Sequence, residues 1–262
     1  MPKKVALITG ASSGIGKEIA KIHATRGGGL VVVARREESL AQLKNELESK
    51  YDVQVKIIVK DLSAPQAALE IYNEVKEAGI EIDYLINNAG FGGQGLFHER
   101  ALEDDIQMIQ VNITVLTELT RLFIEDFIKR DAGKILNVSS TAALMPGPLQ
   151  AVYYATKAYV TSFSNALSGE MKNTNKNITI TALMPGAIKT EFAKTAGLDK
   201  TSMFAKTACP TKVAEDAYEG MLAGKLNVFS GLSGVQRMFL GLMKFMPKKA
   251  MMNSVYKMQM PR

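Results

Sequence analysis

Tyr153 and Lys157 have the side-chain types and the spacing that proton transfer to or from a carbonyl oxygen requires. Residues four apart lie on the same face of a helix, so the two side chains are neighbours if this stretch is helical. An unperturbed tyrosine has a pKa of about 10, and a nearby cation favours the phenolate and lowers that pKa. With Ser140 upstream, the pair predicts general acid–base chemistry at Tyr153. A Tyr-x-x-x-Lys pair alone is a weak signal, so the prediction depends on a second motif.

That second motif is a glycine-rich turn at residues 9–16, placed between a predicted strand and a predicted helix. Gly10 permits a tight turn, while Gly14 and Gly16 allow the backbone to approach a pyrophosphate closely. The free N–H groups and the dipole at the start of the helix favour phosphate groups. The turn therefore predicts a bound dinucleotide; the alternative is a glycine-rich turn that holds no ligand.

The end of the second predicted strand indicates which dinucleotide is bound. An acidic residue there binds the ribose 2′-hydroxyl of NAD(H), whereas arginine accommodates the 2′-phosphate of NADP(H). Arg35 and Arg36 follow this strand, and the first acidic residue is Glu37. We therefore expect NADP(H) rather than NAD(H). The alternative is that the two arginines only begin a solvated helix.

The motifs described above lie in a chain in which short apolar runs alternate regularly with amphipathic segments. Strands are predicted at residues 4–9, 30–34, 53–59, 83–87, 134–138, 178–183 and 226–229. Helices are predicted at residues 15–26, 37–50, 65–78, 101–130 and 152–172. This alternation is typical of βαβ units, so it predicts one doubly wound α/β domain with a central parallel sheet flanked by helices on both faces.

The motifs together resemble the short-chain dehydrogenase/reductase family, in particular its NADP-preferring ketoacyl and hydroxysteroid reductases. The resemblance runs from residue 5 to about residue 190 and implies a single Rossmann-type domain over residues 1–262. It also implies an oxidoreductase that interconverts a carbonyl and an alcohol by hydride transfer. The catalytic residues it implies are Asn112, Ser140, Tyr153 and Lys157. With the turn and the arginines, the expected cofactor-binding residues are Gly10, Ser12, Ser13, Gly14, Ile15, Gly16, Arg35, Arg36, Asp61, Leu62, Asn88, Ala89, Gly90, Tyr153, Lys157, Pro185, Gly186, Ile188 and Thr190.

The resemblance also implies a role for each catalytic residue. Ser140 binds the substrate oxygen and steadies Tyr153. Lys157 binds the nicotinamide ribose, and Asn112 anchors a water that connects Lys157 to solvent. The neighbouring Ser139 and Tyr154 lack the family spacing and are expected to pack.

The substrate pocket is expected in three loops, at residues 91–97, 142–152 and 191–208. The third loop lies within a substrate-capping segment that is expected at about 189–225. The apolar residues of the three loops are Phe91, Leu144, Met145, Leu149, Phe192, Met203 and Phe204. They predict a pocket for a small-molecule carbonyl or alcohol, such as an apolar ketone or a 3-oxoacyl compound. Each of them is equally compatible with a place in the core.

Composition excludes several classes of protein. The net charge of +6 is concentrated beyond Glu219, where seven cations and no acidic residue occur, so the rest of the chain carries about −1 by subtraction. This pattern does not favour a nucleic-acid partner. The single cysteine, Cys209, fits a reducing, cytoplasmic location, and two histidines without a cysteine pair predict no metal site. No apolar run approaches the roughly 18–20 residues that cross a membrane.

The basic, methionine-rich tail at about 234–262 has three interpretations. Its apolar residues at helical spacing are Val235, Met238, Phe239, Leu242, Phe245 and Met246, with Arg237, Lys244 and Lys248 elsewhere around the turn. They are compatible with a helix packed on its own domain, with a cover over the substrate site or subunit contact, and with peripheral membrane contact, which we favour least.

Other functions and the assembly state stay open at this point. A non-catalytic NADP-binding sensor or scaffold, a membrane-associated lipid-modifying reductase, and a dehydratase or epimerase are the alternative functions. The resemblance suggests a homodimer or homotetramer built on the helices predicted at 101–130 and 152–172.

Overall fold

The computed structural model describes residues 4–242 and 246–260, and its centre is a seven-stranded parallel sheet. The strands are β1 (Val5–Thr9), β2 (Gly29–Ala34), β3 (Val55–Val59), β4 (Tyr84–Asn87), β5 (Gly133–Val138), β6 (Ile178–Pro185) and β7 (Asn227–Ser230). Their order in the sheet is β3-β2-β1-β4-β5-β6-β7. The chain winds outward from β1 to β3 and then returns to β4 beside β1, which opens a crevice at the carboxyl ends of these two strands.

Helices cover both faces of the sheet, as predicted for a doubly wound α/β domain. They are α1 (Gly14–Thr25), α2 (Glu37–Tyr51), α3 (Ala67–Glu77), α4 (Leu102–Ile109), α5 (Val115–Arg130), α6 (Ala151–Asn173), α7 (Phe192–Thr195), α8 (Pro210–Leu222), α9 (Gly234–Leu242) and α10 (Lys248–Gln259). Successive strand residues point to opposite faces. In β1, Ala6 and Ile8 pack toward α1, α2 and α8, while Leu7 packs toward α3 and α5.

The long helix predicted at 101–130 is divided in two. Between α4 and α5 lies one π-helical turn, Gln110–Thr114, which carries the predicted catalytic residue Asn112. Such turns insert an extra residue into a helix and are frequent at functional sites. The apolar pattern continues on both sides of this turn, so periodicity alone does not reveal it.

The predicted start of the third helix is wrong by two residues. We placed Pro65 in its first turn, but α3 begins at Ala67, because Gln66 adopts a left-handed conformation with φ of 62°. A left-handed residue interrupts the helical hydrogen-bond pattern, so the helix begins after it.

The predicted capping segment, residues 189–225, is also corrected in its second half. The stretch forms the helix α8, which starts at Pro210 and packs on α1 in the core. Its apolar side is formed by Val213, Ala214, Ala217, Tyr218 and Met221. Proline in a first helical turn followed by this spacing is a helix signal that the prediction did not use.

The tail forms two helices in its described part, α9 and α10. Met251, Val255 and Gln259 of α10 are buried, so this helix packs on its own domain. Lys244 and Phe245 of the predicted repeat lie outside the described residues, as do the side chains of Val235, Phe239 and Leu242. In the ranges that the structure describes, no helix has the length and apolarity of a membrane span.

Candidate active site

One cavity of about 730 Å³ lies at the carboxyl ends of the central strands and joins the glycine turn to Tyr153. Of the predicted catalytic and cofactor-binding residues, all but Asn112 and Gly16 line it. Those that line it are Gly10, Ser12, Ser13, Gly14, Ile15, Arg35, Arg36, Asp61, Leu62, Asn88, Ala89, Gly90, Ser140, Tyr153, Lys157, Pro185, Gly186, Ile188 and Thr190. The fold thus gathers residues that the sequence distributes over about 180 positions.

Two glycines of the turn have a left-handed backbone conformation that other residues rarely adopt. Gly10 has a φ of +66°, and a β-carbon there would lie 2.9 Å from the Cα of Ala89. Gly14 has a φ of +56°, and its missing side chain would meet the methyl group of Thr190 at 3.1 Å. Side chains at these positions would be strained and would fill the cradle, so the turn leaves the close approach that a pyrophosphate needs.

Thr9 and Asn88 hold this turn against the end of β4. The backbone N–H groups of Asn88 and Ala89 both donate to the Oγ1 of Thr9 at 3.0 Å. The Asn88 side-chain amide donates in turn to the carbonyl oxygens of Thr9 at 2.9 Å and Gly10 at 3.2 Å. Asn88 therefore shapes the cradle through the backbone. Thr9 was not among the predicted site residues, although its place at the end of a strand before the turn was a signal for it.

Arg36 provides a cationic group in the cavity wall near the glycine turn. Its guanidinium donates to both carboxylate oxygens of Glu191, at 2.9 and 3.2 Å, and to the Oγ of Ser12 at 3.2 Å. The same hydrogen bonds lower the pKa of the Glu191 carboxyl. Sequence reasoning missed Glu191, because its partner is 155 residues away along the chain.

Asp61 lies in the cavity wall near Arg35. Its Oδ1 accepts hydrogen bonds from the backbone N–H and the hydroxyl of Ser63, at 2.9 and 2.8 Å. The Ser63 backbone bond is the largest cause of a lowered Asp61 pKa, and the charge of Arg35 adds to it. Asp61 is therefore an oriented carboxylate at neutral pH.

Tyr153 is nearly fully buried and lines the cavity. Its ring packs against Phe192, with ring centroids 5.3 Å apart, and edge-on against Tyr154 at 6.1 Å. Burial raises the pKa of Tyr153 to about 12, and a hydrogen bond with the Ser140 side chain opposes this shift. Because the neutral phenol is favoured, Tyr153 carries its proton at physiological pH.

Lys157 lies below the face of the Tyr153 ring. Its Nζ is 5.8 Å from the ring centroid and donates to the carbonyl oxygen of Val138 at 2.9 Å. Burial lowers the pKa of Lys157 to about 8. In this structure burial outweighs the lowering of the Tyr153 pKa that we expected from this cation, because desolvation acts on both groups and favours both neutral forms.

Asn112 is buried behind the cavity wall and fastens the loop that follows β4. Its Oδ1 accepts from the N–H of Phe91 at 3.1 Å, while its Nδ2 donates to the Phe91 carbonyl at 3.0 Å and to the Thr156 hydroxyl at 3.1 Å. It thereby joins this loop to α6, one residue from Lys157. Its expected role as a water anchor stays a prediction.

Apolar side chains form the end of the cavity beyond Tyr153. Of the seven predicted for the substrate pocket, five line it: Phe91, Met145, Phe192, Met203 and Phe204. Leu144 is 41% exposed and, like Leu149, does not belong to the lining. The lining supports an apolar substrate.

The C-terminal helix α10 closes this end of the cavity. Gln259 is fully buried: its Oε1 accepts from Gln150 at 2.7 Å and its Nε2 donates to the Tyr154 hydroxyl at 3.2 Å. Its carbonyl oxygen also accepts from Gln94. Sequence reasoning named a cover over the substrate site as one interpretation of the tail but did not identify Gln259; the spacing of Met251, Val255 and Met258 was a local signal of a buried helix.

Neither of the two neighbouring residues expected to pack takes a catalytic position. Ser139 is buried, and its hydroxyl donates to the carbonyl oxygen of Lys157 at 2.9 Å. Tyr154 packs beside Tyr153 but also lines the cavity. For the residues with described positions, no cluster of three or more His, Cys, Asp and Glu side chains is arranged to hold a metal ion.

Comparison with known proteins places these features in a family. The model of the short chain dehydrogenase family matches residues 4–201. The chain is 35% identical over 218 residues to the very-long-chain 3-oxoacyl-CoA reductase of Mus musculus, with 79% of this chain and 67% of the mouse protein covered. It is 39% identical over 207 residues to the 17-beta-hydroxysteroid dehydrogenase type 3 of Homo sapiens, with 78% and 64% covered.

Solved structures agree with this similarity. A short-chain dehydrogenase from Sphingobium yanoikuyae in complex with NADPH is 30% identical and superposes with a TM-score of 0.81, covering 94% of this chain and 97% of that one. The curated relatives are longer, since the matched region spans about two thirds of their length.

Proposed function

The chain belongs to the short-chain dehydrogenase family, and from this premise we propose that it is an NADP(H)-dependent carbonyl reductase, or alcohol dehydrogenase in reverse, for an apolar ketone or 3-oxoacyl-type substrate. Its reaction class is the interconversion of a carbonyl and an alcohol. The observation that carries the proposal is that Tyr153 and the glycine turn line one cavity. A proton donor and a dinucleotide cradle thereby border the same space, in which a single substrate can reach both.

The residues of the cavity fit a nicotinamide dinucleotide. The cradle at Gly10 and Gly14 would be filled by any side chain, and the N-terminus of α1 adjoins it. We assign the pyrophosphate to this cradle and the adenosine to the wall formed by Arg35, Arg36 and Asp61. The nicotinamide half is assigned to Asn88, Ala89, Gly90, Tyr153, Lys157, Pro185, Gly186, Ile188 and Thr190.

The preference for NADP(H) is supported by Arg36. A guanidinium pairs with phosphate by charge-assisted, bidentate hydrogen bonds, and no acidic residue stands between β2 and Arg36 to select a 2′-hydroxyl. The structure from Sphingobium yanoikuyae, which is in complex with NADPH, is consistent with this preference.

In the proposed mechanism, a nicotinamide held in the cavity would supply or accept the hydride. Tyr153 donates its proton to the carbonyl oxygen in reduction, and a pKa of about 12 keeps that proton in place beforehand. Ser140 donates a hydrogen bond to the same oxygen. Lys157, when protonated, stabilises the phenolate that Tyr153 leaves behind, because an opposite charge favours the charged form.

The proposed substrate class follows from the apolar end of the cavity and from the relatives. Phe91 and Phe192 pack in one apolar cluster with Tyr153, and Phe204 stacks on Phe192 at 6.3 Å; all three phenylalanines line the cavity. The names of the two relatives include a 3-oxoacyl thioester reductase and a hydroxysteroid dehydrogenase. One name refers to a very-long-chain 3-oxoacyl compound and the other to a hydroxysteroid, and an apolar wall accommodates a large apolar body of either kind.

We also propose a homodimer or homotetramer. Leu102, Ile106 and Ile109 are large apolar residues of α4 that are exposed in the single chain, and Tyr159 of α6 is exposed as well. Burial of such a surface in an interface is favourable. Light scattering of the purified protein tests the assembly, and a monomer at micromolar concentration contradicts it.

A cytoplasmic location is proposed on the single free cysteine, Cys209, which is exposed. Such a thiol persists in a reducing compartment. Fractionation of cells that produce the full chain, with and without a high-salt wash, tests this location and also tests peripheral membrane contact through the tail.

The experiment that tests the function is NADPH and NADH consumption with a panel of carbonyl compounds of increasing size: small ketones, steroid ketones and 3-oxoacyl thioesters. Turnover with NADPH that is at least about tenfold more efficient than with NADH supports the proposal. NADPH binding without turnover on the whole panel contradicts it and favours a sensor or scaffold.

A further inference from the structure

Arg36 and Glu191 form an ion pair within the cavity, between the end of β2 and the segment that follows β6. The guanidinium of Arg36 reaches both carboxylate oxygens, at 2.9 and 3.2 Å. The residue before Glu191, Thr190, lies against Gly14 of the glycine turn. The pair thus connects the segment after β2 with the segment after β6, and both residues line the cavity.

The carboxylate of Glu191 lies where the chain has arranged groups that favour an anion. The guanidinium of Arg36 also donates to the Oγ of Ser12, and the side chain of Ser13 hydrogen-bonds to Glu191. Ser13 directly precedes α1. An arginine with two hydroxyl groups beside a helix start is suited to a phosphate as much as to a carboxylate.

We propose that Glu191 is a cofactor-selectivity residue, whose carboxylate competes with the 2′-phosphate of NADP(H) for the guanidinium of Arg36. This inference rests on the proposed NADP(H) preference and deepens it. A 2′-phosphate that binds Arg36 displaces the carboxylate and leaves two anions close together. NAD(H) carries a hydroxyl at that position and leaves the ion pair intact. Glu191 therefore reduces the preference that Arg36 provides.

The size of the effect follows from exposure. The Arg36 and Glu191 side chains are 48% and 61% exposed, so water and salt screen their attraction. Removal of the carboxylate should therefore tighten binding of a 2′-phosphate by about 3- to 10-fold rather than by orders of magnitude.

The test is calorimetric binding of 2′,5′-ADP and of 5′-AMP to the full chain, at about 50 mM salt to limit screening. These ligands differ only in the 2′-phosphate, and the readout requires no turnover. The variant is Glu191→Gln, which keeps the shape of the side chain. The matched control is Glu37→Gln, because Glu37 is an exposed carboxylate next to Arg36 for which the described residues offer no hydrogen bond or ion pair.

We expect Glu191→Gln to bind 2′,5′-ADP about 3- to 10-fold more tightly and 5′-AMP within about twofold of the unchanged protein. Glu37→Gln should change either affinity by less than about twofold. Equal or weaker binding of 2′,5′-ADP by Glu191→Gln overturns the inference, as does an equal gain in Glu37→Gln.

Arg36→Ala separates this inference from the function on which it rests. If Arg36→Ala lowers the affinity ratio of 2′,5′-ADP to 5′-AMP while Glu191→Gln leaves it unchanged, only the role of Glu191 fails. If Arg36→Ala does not lower that ratio, the proposed NADP(H) preference fails. If the gain in Glu191→Gln disappears when Arg36→Ala is added, the competition for Arg36 is supported.

Discussion

The Nζ of Lys157 lies 5.8 Å from the centroid of the Tyr153 ring, and its hydrogen bond goes to the Val138 carbonyl rather than to the phenol. Burial has opposite effects on the two pKa values, about 12 for Tyr153 and about 8 for Lys157. Near neutral pH the proton donor is therefore protonated and the cation beside it is close to losing its charge. This relationship determines how the reaction should depend on pH.

Carbonyl reduction should lose efficiency as pH rises through about 8. Below that value Lys157 is charged and stabilises the phenolate; above it the charge is lost while Tyr153, with a pKa of about 12, still holds its proton. We expect kcat/KM to be constant near pH 6–7 and to fall about tenfold per pH unit on the alkaline side. A profile of kcat/KM between about pH 6 and 10 checks this, and a flat profile up to pH 10 contradicts it.

Replacement of Tyr153 by phenylalanine should abolish turnover. The change removes only the hydroxyl group, and general acid catalysis contributes about 10²- to 10⁴-fold to a rate. NADPH binding, measured by fluorescence titration, should be nearly unchanged. The matched control is Tyr154→Phe, whose hydroxyl contacts Gln259 and not the proposed reacting atoms. Activity of Tyr153→Phe within about tenfold of the unchanged protein removes Tyr153 from this role.

A methyl group at Gly90 should disturb the lysine site. A β-carbon there would lie 3.0 Å from the Oδ1 of Asn112 and 3.2 Å from the Nζ of Lys157. We expect Gly90→Ala to lower kcat by about tenfold or more and to cost about 1–3 kcal/mol of stability, since overpacking shifts its neighbours. Steady-state kinetics and thermal unfolding measure the two effects.

The control for this substitution is Gly169→Ala on α6. A β-carbon at Gly169 meets nothing within 4 Å, and the position is exposed. It should leave kcat unchanged and stabilise the protein by about 0.5–1 kcal/mol, because alanine favours a helix over glycine. Equal kinetics for Gly90→Ala and Gly169→Ala would contradict the tight approach at Gly90.

Loss of the Gln259 side chain should open the substrate end of the cavity. Gln259→Ala leaves Gln150 and Tyr154 without their buried partner, at a cost of about 1–3 kcal/mol. We expect a higher KM for the carbonyl substrate with an unchanged NADPH dissociation constant. Asn253→Ala, on the exposed side of α10, should change neither quantity. A rise in the NADPH dissociation constant of Gln259→Ala equal to the rise in KM would show that α10 supports the whole cleft.

The residues that line the cavity at the carboxyl ends of β1 and β4 were predictable, because short sequence motifs specify the turns that follow these strands. The strand β1 ends at Thr9, and the turn from Gly10 to the helix α1 has a form that few sequences adopt. Asn88 likewise follows directly after the strand β4. Alternation of strands and helices then predicts a parallel sheet, and parallel strands bring their carboxyl ends to one edge. The placement of Tyr153 and Lys157 on one helix follows from their spacing.

Relations between distant segments were not predictable in this way. The π-helical turn at Asn112, the pairing of Arg36 with Glu191 and the burial of Gln259 depend on which elements meet in space. The prediction placed residues 210–222 in the capping segment, but they form the helix α8, whose apolar side packs against α1 in the core.

The sequence by itself therefore determined the fold class and the glycine cradle, since each depends on backbone preference or short-range spacing. It also predicted the trio of Ser140, Tyr153 and Lys157, from the helical spacing of the last two and from the family resemblance. Only the tertiary structure decided the protonation of Tyr153 and Lys157 and the closure of the cavity by α10. Those properties depend on desolvation and on long-range contacts, which arise only when the chain has excluded water from the site.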